Sequence, residues 1–284
     1  MIPAIDAHHH FWDPETGEYP WMTGAVLPIR RVFAPADMRP LLAPAGVVKT
    51  ILVQTRSSLA ESRAFLVTAE ATDFIAGVVA WVDLAAADVG EVLDGLLAGP
   101  GGKWLVGIRH MVHDEPDPQW LCRPDVRDGL RAVAARGLTY DLLLRPREMP
   151  AALQTVRALP DLRFVIDHIA KPDIAGGGFE PWAALMRPFG GEPQVWCKLS
   201  GMVTEADWKT WTAADIAPYV AEALRIFGPH RCMMGSDWPV CLLAADYQRT
   251  VDLVRGAIAG LEQTEQSAVL RDAAVAAYRL PPIG

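Results

Sequence analysis

Ile5-Asp6-Ala7-His8-His9-His10-Phe11-Trp12 is a short apolar run that leads directly into three histidines. Such a run reads as a β-strand whose faces are both covered. Alternate side chains of a strand share a face, so His8 and His10 point one way and His9 the other. Two imidazoles on one face at the C-terminal end of a strand can converge on one metal ion or one substrate atom. A tag remnant is a poor account of the run, because Phe11-Trp12-Asp13-Pro14 comes next, which no linker resembles. The end of this strand decides the fold. It runs into histidines and not into the Gly-x-Gly-x-x-Gly turn of a dinucleotide-binding open sheet.

Outward from this strand one unit recurs. Short apolar strand runs occupy residues 50–54, 74–83, 105–111, 138–144, 163–168, 195–201 and 231–237. Helical patterns lie between them at 35–45, 59–72, 86–98, 124–136, 146–159, 181–189 and 213–227, and after them at 245–261 and 265–278. Gly99-Pro100-Gly101-Gly102, Gly137 and Gly228-Pro229 close three of the helices. Eight strands alternating with helices predict an α/β fold, a (β/α)8 barrel of the TIM type, as a single domain over 1–284. The segment 12–33 has no period and reads as a long loop, and loops of that length are usually functional. It is expected to cover the site.

The net charge of −8 argues against a nucleic-acid or anionic-membrane partner, while leaving room for a locally basic pocket. Cys122, Cys197, Cys232 and Cys241 show no C-x-x-C spacing and read as reduced thiols, Cys241 as packing, in a cytoplasmic protein. The first residues lack a basic stretch followed by a long apolar core, so no secretory leader is expected. No uncharged apolar stretch approaches the ~20 residues that span a bilayer. Oligomeric state is unreadable from the sequence.

A barrel gathers its active site at the C-terminal ends of its strands. There the sequence places His8, His10, Gln54, Trp81, Asp83, Arg109, His110, His113, Asp141, Arg145, Asp167, His168, Lys171, Lys198, Ser200, Ser236, Asp237 and Trp238. Six of the seven histidines fall at strand ends or just beyond, His230 being the exception, and crowding of ionisable groups at one rim marks a catalytic centre. Blander roles apply to some. Asp83 and Asp141 read as caps or loop anchors, and Arg145 as a surface ion-pair partner. Lys198 sits in an apolar strand and needs either a buried partner or a function.

The ordered set resembles the amidohydrolase superfamily. Asp6-Ala7-His8-His9-His10 matches its first-strand His-x-His, Asp167-His168 its sixth-strand histidine region, and Gly235-Ser236-Asp237-Trp238-Pro239 its eighth-strand aspartate. Within it the chain is similar to the sugar-lactonase branch of L-fuconolactonases and L-rhamnonolactonases. His10-Phe11-Trp12-Asp13, Gly107-Ile108-Arg109-His110-Met111, His168-Ile169-Ala170-Lys171-Pro172, Cys197-Lys198-Leu199-Ser200-Gly201 and Ser236-Asp237-Trp238-Pro239-Val240-Cys241 carry that likeness. It covers essentially the whole chain.

The resemblance implies a hydrolase that opens a small-molecule sugar lactone. Strand four offers Arg109-His110 where many members have a bridging lysine or glutamate, and strand five has no histidine. At most one divalent metal, zinc being the candidate, is therefore expected, on His8, His10 and Asp237. Members of the branch that work without added metal leave metal-independent chemistry open. Asp237 is the expected general base for water. His8 and His10 would position that water or stabilise the oxyanion, and His168 would polarise the carbonyl or, if protonated, donate to the leaving oxygen. Arg109, His110 and Gln54, with Lys171 and Lys198, are the expected binders of hydroxyls or carboxylate, and Trp12, Trp81 and Trp238 the flat faces for a sugar ring. The alternatives are a pyrone-dicarboxylate lactonase, a metal-dependent nonoxidative decarboxylase, or a noncatalytic barrel. A dicarboxylate calls for two or more rim arginines, and Arg109 and Arg145 are the only candidates, which favours a neutral sugar lactone.

Overall fold

The computed structural model describes residues 1–281. Strands β1 (Ala4–His9), β2 (Val47–Val53), β3 (Ile75–Ala80), β4 (Leu105–His110), β5 (Thr139–Leu142), β6 (Arg163–Ile166), β7 (Val195–Leu199) and β8 (Cys232–Met234) form one parallel sheet in chain order. The helices between and after them are α1 (Pro35–Leu42), α2 (Leu59–Glu70), α3 (Val89–Ala98), α4 (Pro124–Ala135), α5 (Met149–Ala158), α6 (Phe179–Met186), the single turn α7 (Met202–Glu205), α8 (Ala213–Phe227) and α9 (Tyr247–Ala257). The last helical segment, expected as one piece, is α10 (Gln263–Ser267) and α11 (Ala273–Tyr278) joined through a π-helical turn, Ala268–Asp272. No helix among the described residues is long and apolar enough to cross a membrane.

The sheet closes on itself through the chain beyond β8. The Asp237 N–H donates to the His8 carbonyl at 2.8 Å and the His10 N–H to the Trp238 carbonyl at 2.7 Å. This is the nearly closed (β/α)8 barrel that the strand pattern predicts. Strand interiors read as unbroken apolar runs because helices cover the outside while Ile5, Ala7, Ile51, Val53, Val79, Val165 and Met233 fill the inside. Helix α11 stoppers the N-terminal end. Ala273, Ala274, Ala277 and Tyr278 join that inner cluster, and the Ala277 carbonyl accepts from Thr139 Oγ1 at 2.7 Å and Arg163 Nε at 2.9 Å.

Several strands are shorter than the sequence suggests, among them β3, β5 and β7, and two of the shortened ends carry candidate site residues. β6 stops at Ile166 and β8 at Met234, so Asp167-His168 and Ser236-Asp237 lie beyond the ladder, free of its fixed geometry. β1 is irregular: its register with β2 shifts between Asp6 and His9. Asp6 therefore turns away from the histidine face and ties the barrel seam. Its carboxylate accepts from His8 N (3.2 Å), Ser236 N (2.8 Å), Ser236 Oγ (2.6 Å) and Tyr247 Oη (3.1 Å). Burial raises the Asp6 carboxyl to about 6 even against these four bonds. Replacing Asp6 with Ala orphans buried donors on both sides of the seam. The Asp6→Ala variant is expected to lose about 3 kcal/mol of unfolding free energy, read as a lowered urea midpoint; an unchanged midpoint would contradict the role of Asp6 in the seam.

Candidate active site

At the C-terminal ends of the strands lies a cavity of about 250 Å³. Five residues expected at the site line it: His10, Arg109, His168, Lys171 and Asp237. His8 does not. It is fully buried just beneath them, with its Nε2 3.2 Å from His10 Nε2 and 3.8 Å from Asp237 Oδ1. His10 Nε2 is 3.3 Å and His168 Nε2 3.9 Å from the same Asp237 oxygen. His9 points away, as the alternation predicts, and meets Thr50 Oγ1 at 2.9 Å.

The two loops that aim these groups adopt backbone that side chains disfavour. Asp237 has φ +58, which an aspartate tolerates better than most residues. His168, Ile169, Ala170 and Lys171 run consecutively at φ +54, +47, +59 and +48, one left-handed turn without a glycine. Left-handed α conformation costs roughly 1–2 kcal/mol per residue. Burial and two anchors hold the turn: Trp182 Nε1 donates to the Ile169 carbonyl at 2.6 Å, and His168 Nδ1 meets Ser200 Oγ at 2.9 Å. Glycine is required opposite. Gly201 sits at φ +63, and a Cβ there would lie 2.5 Å from His168 Nδ1. A Cβ at Gly235 would lie 2.9 Å from His8 Cβ.

The charges are set by this burial. Burial pushes the Asp237 carboxyl up, but His168, His10 and Lys171 around it more than offset this and hold it below the usual carboxylate range. It is ionised at neutral pH. Burial lowers His168 to about 3, against the pull of Asp237 and Asp167, so its ring is neutral. His8 is likewise held well below its ordinary value by burial, with Asp167 opposing and Lys198 adding to the effect.

Beneath the histidines lies a buried ionic layer. Lys198 Nζ is 2.6 Å from Asp141 Oδ2, 2.9 Å from Asp167 Oδ1 and 3.1 Å from His8 Nδ1. Arg109 Nη1 is 3.0 Å from Asp167 Oδ2 and 3.2 Å from His8 Nε2. Tyr278 on the stopper helix donates to Asp141 Oδ2 at 2.7 Å. Asp141 is thus an ion-pair partner and not a cap, and Lys198, fully buried, lies out of reach of a bound molecule. Asp83 does anchor its loop, accepting from Ala85 N at 3.0 Å.

Other expected substrate contacts turn out to be supports. Gln54 Oε1 accepts from Arg109 Nη2 at 3.1 Å and orients it. Trp81 Nε1 donates to His110 Nδ1 at 3.1 Å, and His110 stacks on Trp120 with ring centres 4.2 Å apart. Trp238 packs between Phe11 and Phe33, and Trp12 beside Phe33 donates to the Ile29 carbonyl at 3.1 Å. None of Gln54, Trp81, His110, Trp238 or Trp12 lines the cavity. Trp21, Thr55, Met111, His113, Asp114 and Arg145 do. His113 and Arg145 are legible in the sequence as rim residues, and Arg145, expected in a surface ion pair, instead faces the cavity while its neighbour Arg147 takes the Glu148 carboxylate. Trp21 has no sequence signal of its own within the 12–33 loop. That loop is clamped at its base by the Trp12–Phe33 backbone pair at 3.1 and 2.9 Å, and Trp21 Nε1 bonds the Thr55 carbonyl at 3.1 Å.

The donor set suits one metal ion. Ligand atoms of His8, His168 and Asp237 lie within 4.8 Å of one another, and His10 adds a fourth. Tetrahedral zinc with bonds of about 2.0–2.1 Å separates its ligand atoms by about 3.3 Å, close to the shorter spacings here. His168, absent from the expected ligand trio, belongs to the group.

The amidohydrolase family model matches residues 5–280. The chain is 40% identical to an L-fucono-1,5-lactonase of Burkholderia ambifaria over 87% of this chain and 84% of that one. It is 36% identical to an L-fucono-1,5-lactonase of Burkholderia multivorans over 98% and 96%. A crystal structure of a Burkholderia multivorans amidohydrolase with bound zinc superposes with a TM-score of 0.93 at 33% identity, covering 98% of this chain and all of that one. A candidate 2-pyrone-4,6-dicarboxylic acid hydrolase of Pseudomonas putida (21% identity, TM-score 0.77, 98% of each chain) and a Rhizobium 2,6-dihydroxybenzoate decarboxylase (15%, 0.70, 98% and 99%) share the fold alone.

A neutral buried His168 makes a pH signature. Below pH 6.5 the unfolded chain protonates this histidine and the folded chain does not, so stability falls as pH drops from 6.5 towards about 3. Relative to the wild type, His168→Asn is expected to show an unfolding free energy whose dependence on pH between 6 and 4 is shallower by about 1.4 kcal/mol per pH unit. Equal slopes in chemical denaturation would place a charged His168 in the fold.

Proposed function

Because the chain belongs to the amidohydrolase family, we propose that it is a lactonase that opens a sugar lactone of the L-fucono-1,5 type to the free aldonic acid. The observation that carries this reading is the ionised Asp237 carboxylate, on the cavity wall with His10 and His168 beside it. A lactone is a cyclic ester, and its hydrolysis needs a base for water, donors for the carbonyl oxygen and a proton for the ring oxygen. Asp237 takes a proton from water as that water adds to the carbonyl carbon. Arg109, which lines the cavity and is held by Asp167 and Gln54, brings positive charge towards the developing oxyanion. Neutral His168 can donate only through an N–H, and Ser200 Oγ on its Nδ1 orients the ring. When the tetrahedral intermediate collapses, the ring C–O bond breaks, and the proton held by Asp237 passes to the departing oxygen. The product is a hydroxy acid, which ionises.

A single divalent ion, held by His8, His10, His168 and Asp237, would supply Lewis-acid polarisation of the carbonyl. The zinc-bound Burkholderia multivorans structure supports such a site. The cavity volume of about 250 Å³ suits a monosaccharide ring, with Trp21 as the aromatic wall and Lys171 and Arg145 as hydroxyl donors. Four free cysteines support a cytoplasmic setting.

The test is acid release from a panel of aldonolactones, followed with a pH indicator, on protein dialysed with chelator and again with added zinc. Turnover of L-fuconolactone is expected, and Asp237→Asn is expected to lower kcat by about 10²–10⁴-fold. No acid release in either condition would sink the lactonase reading. Turnover by Asp237→Asn at the wild-type rate would sink the base assignment alone.

A further inference from the structure

The cavity that holds Asp237, His10 and His168 has a neighbour. An outer cavity of about 460 Å³ lies against it, and Trp21, Met111 and Asp114 line both. Asp237, His10 and His168 line the inner cavity alone. A substrate group that leaves the inner cavity for the outer one therefore passes this shared wall. Its three members differ in stiffness. Met111 is an unbranched chain with three rotatable bonds, which adapts to its neighbours. Asp114 is exposed, with its Oδ1 3.2 Å from His113 Nε2. Trp21 is fixed twice: its Nε1 donates to the Thr55 carbonyl at 3.1 Å, and its ring meets that of Trp12 edge to face at 5.4 Å. Trp12 is anchored in turn by the Ile29 carbonyl and by its backbone pair with Phe33. The indole of Trp21 is the rigid part of the wall.

We propose that Trp21 is a specificity-determining residue that ends the substrate cavity at one sugar ring, and that the outer cavity behind it is a subsite for a second polyhydroxylated unit, which the indole shuts off. The inference rests on the lactonase reading and adds to it the size of the substrate. The chemistry of the outer cavity fits such a unit. Glu18, Arg56, Ser57 and Ser58 line it together with Asp114. Arg56 is steadied by Glu61 at 3.4 Å and by the Tyr19 ring at 5.1 Å. An anion would meet two carboxylates, Glu18 and Asp114, whereas hydroxyl groups can donate to both and accept from Arg56 and the serines. In a 1,5-lactone the ring atom opposite the carbonyl carbon is C4. With the carbonyl held at Asp237, a glycosyl group on the C4 hydroxyl is directed farthest from the reacting bond and has to pass the wall. A fixed indole rejects it by steric clash, the repulsive half of specificity, while the single ring keeps an aromatic face to rest on.

The test compares L-fucono-1,5-lactone with the same lactone carrying a glucosyl group on the C4 hydroxyl. Wild type is expected to open the first and reject the second. In Trp21→Ala the ratio of the two kcat/KM values is expected to move towards the glucosylated lactone by at least about 100-fold, with KM for the single ring raised about tenfold. Trp21→Phe, which restores a ring, is expected to restore the wild-type preference, and Trp21→Leu decides in place of Trp21→Ala if the latter does not fold. An unchanged ratio in a folded small variant overturns the proposal, as does a wild type that opens both lactones equally well. The second measurement is a crystal soak of wild type and Trp21→Ala with the open-chain acid of the glucosylated lactone. A glucosyl ring beside Arg56 in the variant alone is expected; the same ring in the wild type, or none in the variant, overturns the subsite. Absence of turnover on both lactones by every protein sinks the lactonase reading and leaves the soak to decide this inference, so the two failures are told apart.

Discussion

Two cations and two carboxylates are shut inside the barrel, and the rest of the site is built on how they are paired. Lys198 and Arg109 cannot be left uncompensated in a dry interior, where an unpaired charge costs several kcal/mol. Asp141 and Asp167 compensate them at 2.6–3.0 Å. Burial pushes Asp141 up to about 6, with Lys198 opposing it, while Asp167, buried but flanked by Lys198, His8 and Arg109, is held well below the usual range. The carboxylate with more cationic neighbours carries the firmer charge. This layer forms a rigid floor under the histidines, which fixes His8 from both nitrogens.

Above the floor, the geometry is held against local backbone preference. β6 and β8 flank β7 on its two sides, and within the ladder their side-chain directions are fixed. Leaving the ladder at Ile166 and Met234 frees the chain, and the left-handed conformations at His168 and Asp237 are the local cost. Asp6 pins one of these loops from behind through Ser236, and Trp182 pins the other. The seam of the barrel and the aim of Asp237 therefore depend on the same few buried hydrogen bonds.

The barrel itself says little about chemistry, since other reactions run on the same scaffold. The side-chain set narrows the function: one ionised aspartate with His10 and a neutral His168 beside it on the cavity wall, and an arginine lining the same cavity. Strand four carries Arg109-His110 and strand five Thr139–Leu142 without a histidine, and among the described residues one group, His8, His168 and Asp237, is placed to hold a metal ion.

The sequence by itself determined the strand count, the parallel barrel and several of the side chains that line the cavity at the strand ends. Those signals are local: apolar runs, period, Gly and Pro punctuation, and polar residues at strand ends. His10, His168, Arg109, Lys171 and Asp237 were legible for that reason. Only the tertiary structure decided depth and direction. Gln54, His110, Trp81, Trp238 and Lys198 stand at the same kind of position in the sequence, yet each is turned onto a neighbour instead of the cavity, because its partner comes from another strand or loop far away in the chain. Arg145, Trp21 and Asp114 reach the cavity for the converse reason, being placed by loops whose paths are set by packing and not by period. The shift in β1 that parts Asp6 from the histidine face belongs to the same class, since a register shift is a property of two strands and is written in neither one alone.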